Sequence, residues 1–193
     1  MSLAADPDPD PDLAPVAGER PARERPLTAS SGPEERVHHA LDLAYRHLAK
    51  RDRTVAEVQR HLERRQVGAP TIERALAELH DLGYLDDRRY AQRYVEDRRR
   101  IEGWGRLRIA AGLRRMGIGD ALIEAALAGD PDQEREPDLA VEALEQRLGG
   151  APLADDKGRS RALRLLATRG FPLETAYDAV RTYERRCRER ADG

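Results

Sequence analysis

Apolar positions along this 193-residue chain fall on a grid that occurs three times. Leu62, Val67, Ala75 and Leu76 return as Leu113, Ile118, Ala126 and Leu127, and again as Leu166, Phe171, Ala179 and Val180. The copies are offset by 51 and then 53 residues. A shared grid at such a period marks one supersecondary unit used in tandem. Tandem units build long surfaces suited to extended partners.

Within each copy the apolar residues follow helical spacing. In residues 34–85, Val37, Leu41, Ala44, Tyr45 and Leu48 predict a first helix. Thr54 with Glu57 three residues on predicts a capping box that opens a second. Val55, Val58 and Leu62 form its stripe, Gly68-Ala69-Pro70 breaks it, and Ile72, Ala75, Leu76 and Leu79 define a third helix stopping at Gly83. Residues 86–129 repeat the plan. Asp86 and Asp87 suit a helix N-terminus, with Tyr90, Ala91, Tyr94 and Val95 facing inward. Gly103-Trp104-Gly105 interrupts, then Leu107, Ile109, Ala110 and Leu113 form a helix ending at Gly117. Ala121, Leu122, Ala125 and Ala126 form the next. Residues 130–193 hold an acidic, Pro-containing linker over 130–138 and a third unit. Its helices carry Leu139, Val141, Leu144 and Leu148, then Ala162 to Leu166 behind Asp155 and Asp156, then Ala176, Val180 and Tyr183. No segment alternates with a period of two, so an all-α chain of three tandem three-helix, helix-turn-helix-like repeats is expected. Gly117 and Gly170 stand where a left-handed residue ends a helix. Gln66 stands there in the first unit, so a different turn is expected.

Residues 1–33, with Asp-Pro-Asp-Pro-Asp-Pro-Asp, predict a disordered acidic, Pro-rich tail. A 4% aromatic content points to small modular cores. The single Cys187 excludes an internal disulfide framework. The absence of a long apolar run or signal pattern predicts a cytoplasmic protein without a membrane span.

Charge is unevenly spread. Residues 86–116 hold ten Arg against five acids, whereas 119–154 hold two Arg against nine acids. Arg93, Arg98, Arg99, Arg106, Arg108, Arg114 and Arg115, with Trp104 among them, are the candidate partner-binding residues, and Arg169 joins them from the third unit. Arginine beside aromatic rings suits nucleic-acid backbones and bases, and equally an acidic protein groove. Tyr90 and Tyr94 read as core residues. The five histidines, His38, His39, His47, His61 and His80, show no zinc-ligand spacing. No phosphate loop or nucleophile–base set is present. A non-enzymatic binding protein without metal or cofactor is expected.

The stretch from Leu85 to Leu127 resembles the central repeat of the RecX family, regulators of the RecA recombinase. The resemblance rests on Leu85, Asp86, Asp87, Tyr90, Ala91, Tyr94, Val95, Arg98, Gly103, Gly105, Arg108, Ile109, Leu113, Gly117 and Ile118. Leu166, Arg169, Gly170 and Phe171 resemble the family's Arg-Gly-Phe turn, and Ala40, Leu41, Thr54 and Leu62 extend the likeness to the first unit. The resemblance implies an elongated, curved molecule that binds RecA and its filament on single-stranded DNA, and a monomer is expected. It also implies inhibition of RecA's ATPase, strand exchange and coprotease activity, and hence control of recombination, DNA repair and the SOS response. The alternative is a helix-turn-helix factor that binds DNA directly. Thr71, Asp120 and Leu173, at the starts of the third helices, are a poor base-reading set.

Overall fold

The computed structural model describes residues 32–192. The expected tail falls on residues 1–31, outside the described residues. Gly32 and Pro33 instead start the first helix, and Glu35 accepts a hydrogen bond from the Gly32 N–H at 3.2 Å. Nine helices and no strands occur among the described residues: α1 Pro33–Leu48, α2 Val55–Arg64, α3 Ala69–Asp81, α4 Asp87–Glu102, α5 Arg106–Met116, α6 Asp120–Ala128, α7 Glu136–Leu148, α8 Asp156–Thr168 and α9 Leu173–Asp192. The extensive packing is confined to three triplets, α1–α3, α4–α6 and α7–α9. Each triplet encloses its own apolar core, centred on Val58, Leu62 and Leu79, on Ile109, Leu113 and Ile123, and on Leu144, Leu166 and Tyr183. No helix among the described residues is long and apolar enough to cross a membrane.

Local chemistry sets the helix starts. The Thr54 hydroxyl accepts from Glu57 N while Glu57 accepts from Thr54 N, satisfying amides that the first turn leaves free. Asp86 caps α4 through Arg89 N, and Asp155 caps α8 through Gly158 N. The linker is shorter than expected, because α7 already begins at Glu136. Several apolar assignments also change, since Ala121 and Ala125 of the expected α6 stripe are exposed. Leu107 is 55% exposed, and Ile123, absent from the expected stripe of α6, is fully buried.

The turn after each second helix is the same in all three repeats, which corrects the expectation for Gln66. Gln66, Gly117 and Gly170 have φ of 60°, 91° and 84°. The next amide bonds back across the turn each time: Val67 to Leu62 at 3.1 Å, Ile118 to Leu113 at 3.1 Å and Phe171 to Leu166 at 3.0 Å. Gln66 therefore accepts the left-handed strain that glycine avoids.

Gln66 is tolerated because of how the repeats join. Thr54 Oγ1, at the start of α2, donates to the Met116 carbonyl at the end of α5 (2.8 Å). Gly105 N and Leu107 N, at the start of α5, donate to the Arg169 and Gly170 carbonyls after α8 (2.7 and 2.9 Å). In both joints the N-terminus of one second helix meets the C-terminal turn of the next. A Cβ on Gly117 would stand 2.4 Å from Ala56 Cβ, and one on Gly170 would stand 2.4 Å from Arg108 N. No described repeat precedes the first, so nothing abuts the exposed Gln66 turn in this way.

Replacing Gln66 by Gly should stabilise the chain by about 1 kcal/mol, and Gly170→Ala should destabilise it by more than about 2 kcal/mol. Urea unfolding of the two variants measures both; equal effects would contradict the joint geometry.

His47 and His61 stack with ring centroids 4.0 Å apart, between α1 and α2. Burial, then the neighbouring imidazole, lowers the His47 pKa to about 4. The unfolded chain therefore binds more protons than the native one between roughly pH 6.5 and 4. Stability contributed by neutral His47 should be complete above pH 6.5 and decline as pH falls towards 4. Melting temperatures between pH 7 and 5 should fall for the wild type and fall less for His47→Gln.

Candidate partner-binding face

The candidate face is assembled where α4 ends and α5 begins. Gly103, at φ 60°, turns the chain, and its amide and that of Trp104 bond back to the Arg99 and Arg98 carbonyls. This turn brings two guanidinium groups over the Trp104 ring, Arg108 at 4.2 Å and Arg98 at 5.1 Å from its centroid. Arg98 also lies 5.0 Å over Tyr94. Gly112 makes room for this arrangement, because a Cβ there would stand 2.4 Å from the Tyr94 hydroxyl. Tyr90 donates its hydroxyl proton to Met116 Sδ at 3.2 Å. Tyr90, Tyr94 and Trp104 are all partly buried, with one side of the stack against the core of the second repeat. Each cation–π contact contributes on the order of 1 kcal/mol.

The other candidate arginines divide by what they touch. Arg99 is 5% exposed, so its assignment to a binding surface is corrected. Its Nε meets Asp130 at 2.9 Å, and its Nη1 meets Glu136 at 3.0 Å and the Trp104 carbonyl at 3.1 Å. Glu136 also accepts from Arg106 N at 2.7 Å. Arg99 thus fastens the second repeat to the approach of the third. Arg106 pairs with Glu124 at 3.5 Å, Arg114 with Asp120 at 2.7 Å and Arg93 with Asp52 of the first repeat at 3.0 Å. Arg108 donates to the Thr168 carbonyl at 3.0 Å. Arg115 and Arg169 have no carboxylate partner among the described residues. Arg169 lies beside Gly103, 3.9 Å from where a Cβ would stand. Leu113, Ile118 and Phe171 are buried, and Gly105 and Gly170 meet backbone to backbone in the joint.

Four arginines outside the expected set complete the pattern. Applying the offsets of 51 and 53 residues, positions 57, 60 and 64 of α2 match 108, 111 and 115 of α5 and 161, 164 and 168 of α8. Arg60 and Arg64, Arg108 and Arg115, and Arg161 and Arg164 occupy this one surface row. None of the six has a carboxylate partner among the described residues, and all but the stacked Arg108 are exposed. Arg60 reaches only backbone carbonyls, those of Ala56 and Met116. Each of the three positions carries arginine in two of the three copies, so reading the three together across the apolar grids would have found the row in the sequence.

The chain is an all-helical repeat protein whose tandem units offer one extended surface, with two unpaired arginines on the second helix of each unit. Family models give this class its identity: residues 40–79 match "RecX, first three-helix domain" and residues 86–127 match "RecX, second three-helix domain". The Regulatory protein RecX of Amycolatopsis mediterranei is 33% identical over 150 residues, covering 77% of this chain and 85% of that one. The Regulatory protein RecX of Deinococcus radiodurans is 36% identical over 166 residues, covering 86% and 78%. The crystal structure of RecX from Lactobacillus salivarius shares the fold with a TM-score of 0.68 at 22% identity, covering 78% of this chain and 98% of that one. The chain belongs to the RecX family of regulatory proteins.

Replacing Arg99 by Met should cost about 3–5 kcal/mol, because Asp130 and Glu136 stay buried without their cation. Hydrogen exchange should accelerate across residues 130–136; unchanged protection and stability would exclude Arg99 as the fastener.

Proposed function

We propose that this RecX-family regulator binds RecA and the RecA filament on single-stranded DNA and inhibits ATP hydrolysis, strand exchange and coprotease activity. Recombination, DNA repair and the SOS response would be modulated through that contact. The observation that carries the reading is the arginine row on α2, α5 and α8. A filament offers the same surface at every subunit. Three linked units that each make a weak contact with such a surface gain avidity, because the second and third contacts form at high effective concentration. The Arg98–Trp104–Arg108 stack shares Arg108 with the row and adds a planar contact in the middle repeat, where Arg98 is itself paired with Glu102 at 3.0 Å. A clamp that favours one state of the filament slows a cycle that requires another state.

The test is RecA ATP hydrolysis on single-stranded DNA with increasing amounts of this protein. The wild type should inhibit. The triple variant Arg64→Glu, Arg115→Glu, Arg164→Glu should keep its helicity and require roughly tenfold to hundredfold more protein, at about 1 kcal/mol per reversed contact. Unaltered hydrolysis at saturating wild type would overturn the reading, and full potency of the triple variant would remove the row from it. The unpaired row also favours a second reading, direct contact with phosphates of DNA. Steeply salt-dependent DNA binding without capture of RecA would support that reading instead.

A further inference from the structure

The surface between the second and third helices differs between repeats in a way that the shared fold does not require. In the second repeat it is closed by the chain itself. Arg106 reaches Glu124 and Arg114 reaches Asp120 across the space between α5 and α6. Ile118, Ile123 and Leu127 beneath are all buried. The corresponding positions of the first repeat are Val55 with Glu73, and Glu63 with Ala69. Neither pair can form a clasp, and both remaining charges are acidic. Glu63 has only Gln59 as a side-chain partner, at 2.9 Å, and Glu73 has none among the described residues. Between α2 and α3 an open groove of about 480 Å³ remains, floored by Val67, Ile72 and Leu76 and rimmed by Glu63 and Glu73. Val67 and Leu76 stay half-exposed, whereas their counterparts Ile118 and Leu127 do not.

We infer that this groove docks a segment of a partner protein that places an apolar side chain over Val67 and Leu76 and basic side chains against Glu63 and Glu73. The second repeat is the internal template. There, arginines pair with acids over the same apolar floor; in the first repeat the acids are present and the arginines must come from outside. Complementary charge at the two rims holds such a segment across the groove, and the apolar floor supplies the buried contact. In assigning the segment to RecA, the inference rests on the function proposed above. It also separates two contacts by chemistry: the arginine row takes an anionic surface, and the groove takes a cationic, apolar one.

The test uses the full chain and a variant in which one of the two ion pairs of the second repeat's clasp is rebuilt in the first, Glu63→Arg with Ala69→Asp. Asp at the first turn of α3 suits the helix N-terminus, so this variant should fold. The first probe is a synthetic helical peptide presenting leucine with arginine four residues to either side. In 1H–15N spectra of the wild type it should shift Val67, Ile72 and Leu76, and the clasped variant and Glu73→Lys should lose the response. No shifts, shifts elsewhere, or an undiminished response in the clasped variant would overturn the groove as a docking site. The second probe is the RecA filament on single-stranded DNA, for which the clasped variant should lose roughly tenfold in affinity. If wild type and clasped variant bind the filament equally, the assignment of the segment to RecA is overturned while the proposed function stands. If the wild type does not bind the filament, the proposed function fails and the peptide result alone decides the groove.

Discussion

The structure depends on one contact made twice, the meeting of the N-terminus of a second helix with the C-terminal turn of the next repeat's second helix. Helix ends are where backbone groups lack intrahelical partners, with donors free at one end and acceptors at the other. Placing these ends together satisfies both and opposes their partial charges favourably. Thr54 does so with a hydroxyl and Gly105 with its own amide, each onto a carbonyl of the following repeat. Such close approach leaves no room for a Cβ, so glycine at 117 and 170 is required by the neighbour as well as by φ. At position 66 the turn has the same φ and no such neighbour, and there the chain carries glutamine.

The charge pattern follows from the same joints. The basic block of the second repeat and the acidic block after it lie beside each other, and much of each neutralises the other. Arg99 with Asp130 and Glu136, Arg106 with Glu124, and Arg114 with Asp120 all cross between the two blocks. The exposed pairs contribute little individually. The buried triad is different, since losing one member strands the others away from water. Arginine density is therefore a poor guide to a binding surface in this chain. The useful quantity is the arginine left without a carboxylate, and six of the arginines in that state share one row across the three repeats.

Much of the fold is legible in the sequence because it is set locally. The Thr54–Glu57 box, the Asp86 and Asp155 caps and the turns at Gly117 and Gly170 are short-range chemistry written in adjacent residues. The apolar grid identifies the interiors for the same reason, since a three-helix unit buries a fixed set of positions. Leu107 escaped this logic because its amide is engaged in the joint while its side chain points outward, a contact between residues more than sixty apart in the chain. Arg99 escaped it because its partners lie 31 and 37 residues away. Pairing of that range has no period and no local motif, so only the folded chain divides the candidate arginines into fastener, paired and free.

Joints built from backbone atoms have a consequence for how such a chain can specialise. The placement of one repeat on the next is held by carbonyls, amides, missing side chains and a few buried side chains such as Thr54 and Arg99, and so does not depend on what the outward positions carry. The face between second and third helices shows the result. It is open and acidic in the first repeat, clasped by two ion pairs in the second, and in the third it carries a single Arg159–Glu184 pair at 2.6 Å beside Leu173 and Tyr177, which are 64% and 48% exposed. A partner with a strictly repeating surface would be met equally well by three identical repeats. Repeats that keep one grid and one joint while changing the chemistry of a shared face can distinguish one end of such a partner from the other. Direction along a repeating surface thus needs the inequality of the repeats as much as their common fold, and the glycine joints are what permit both.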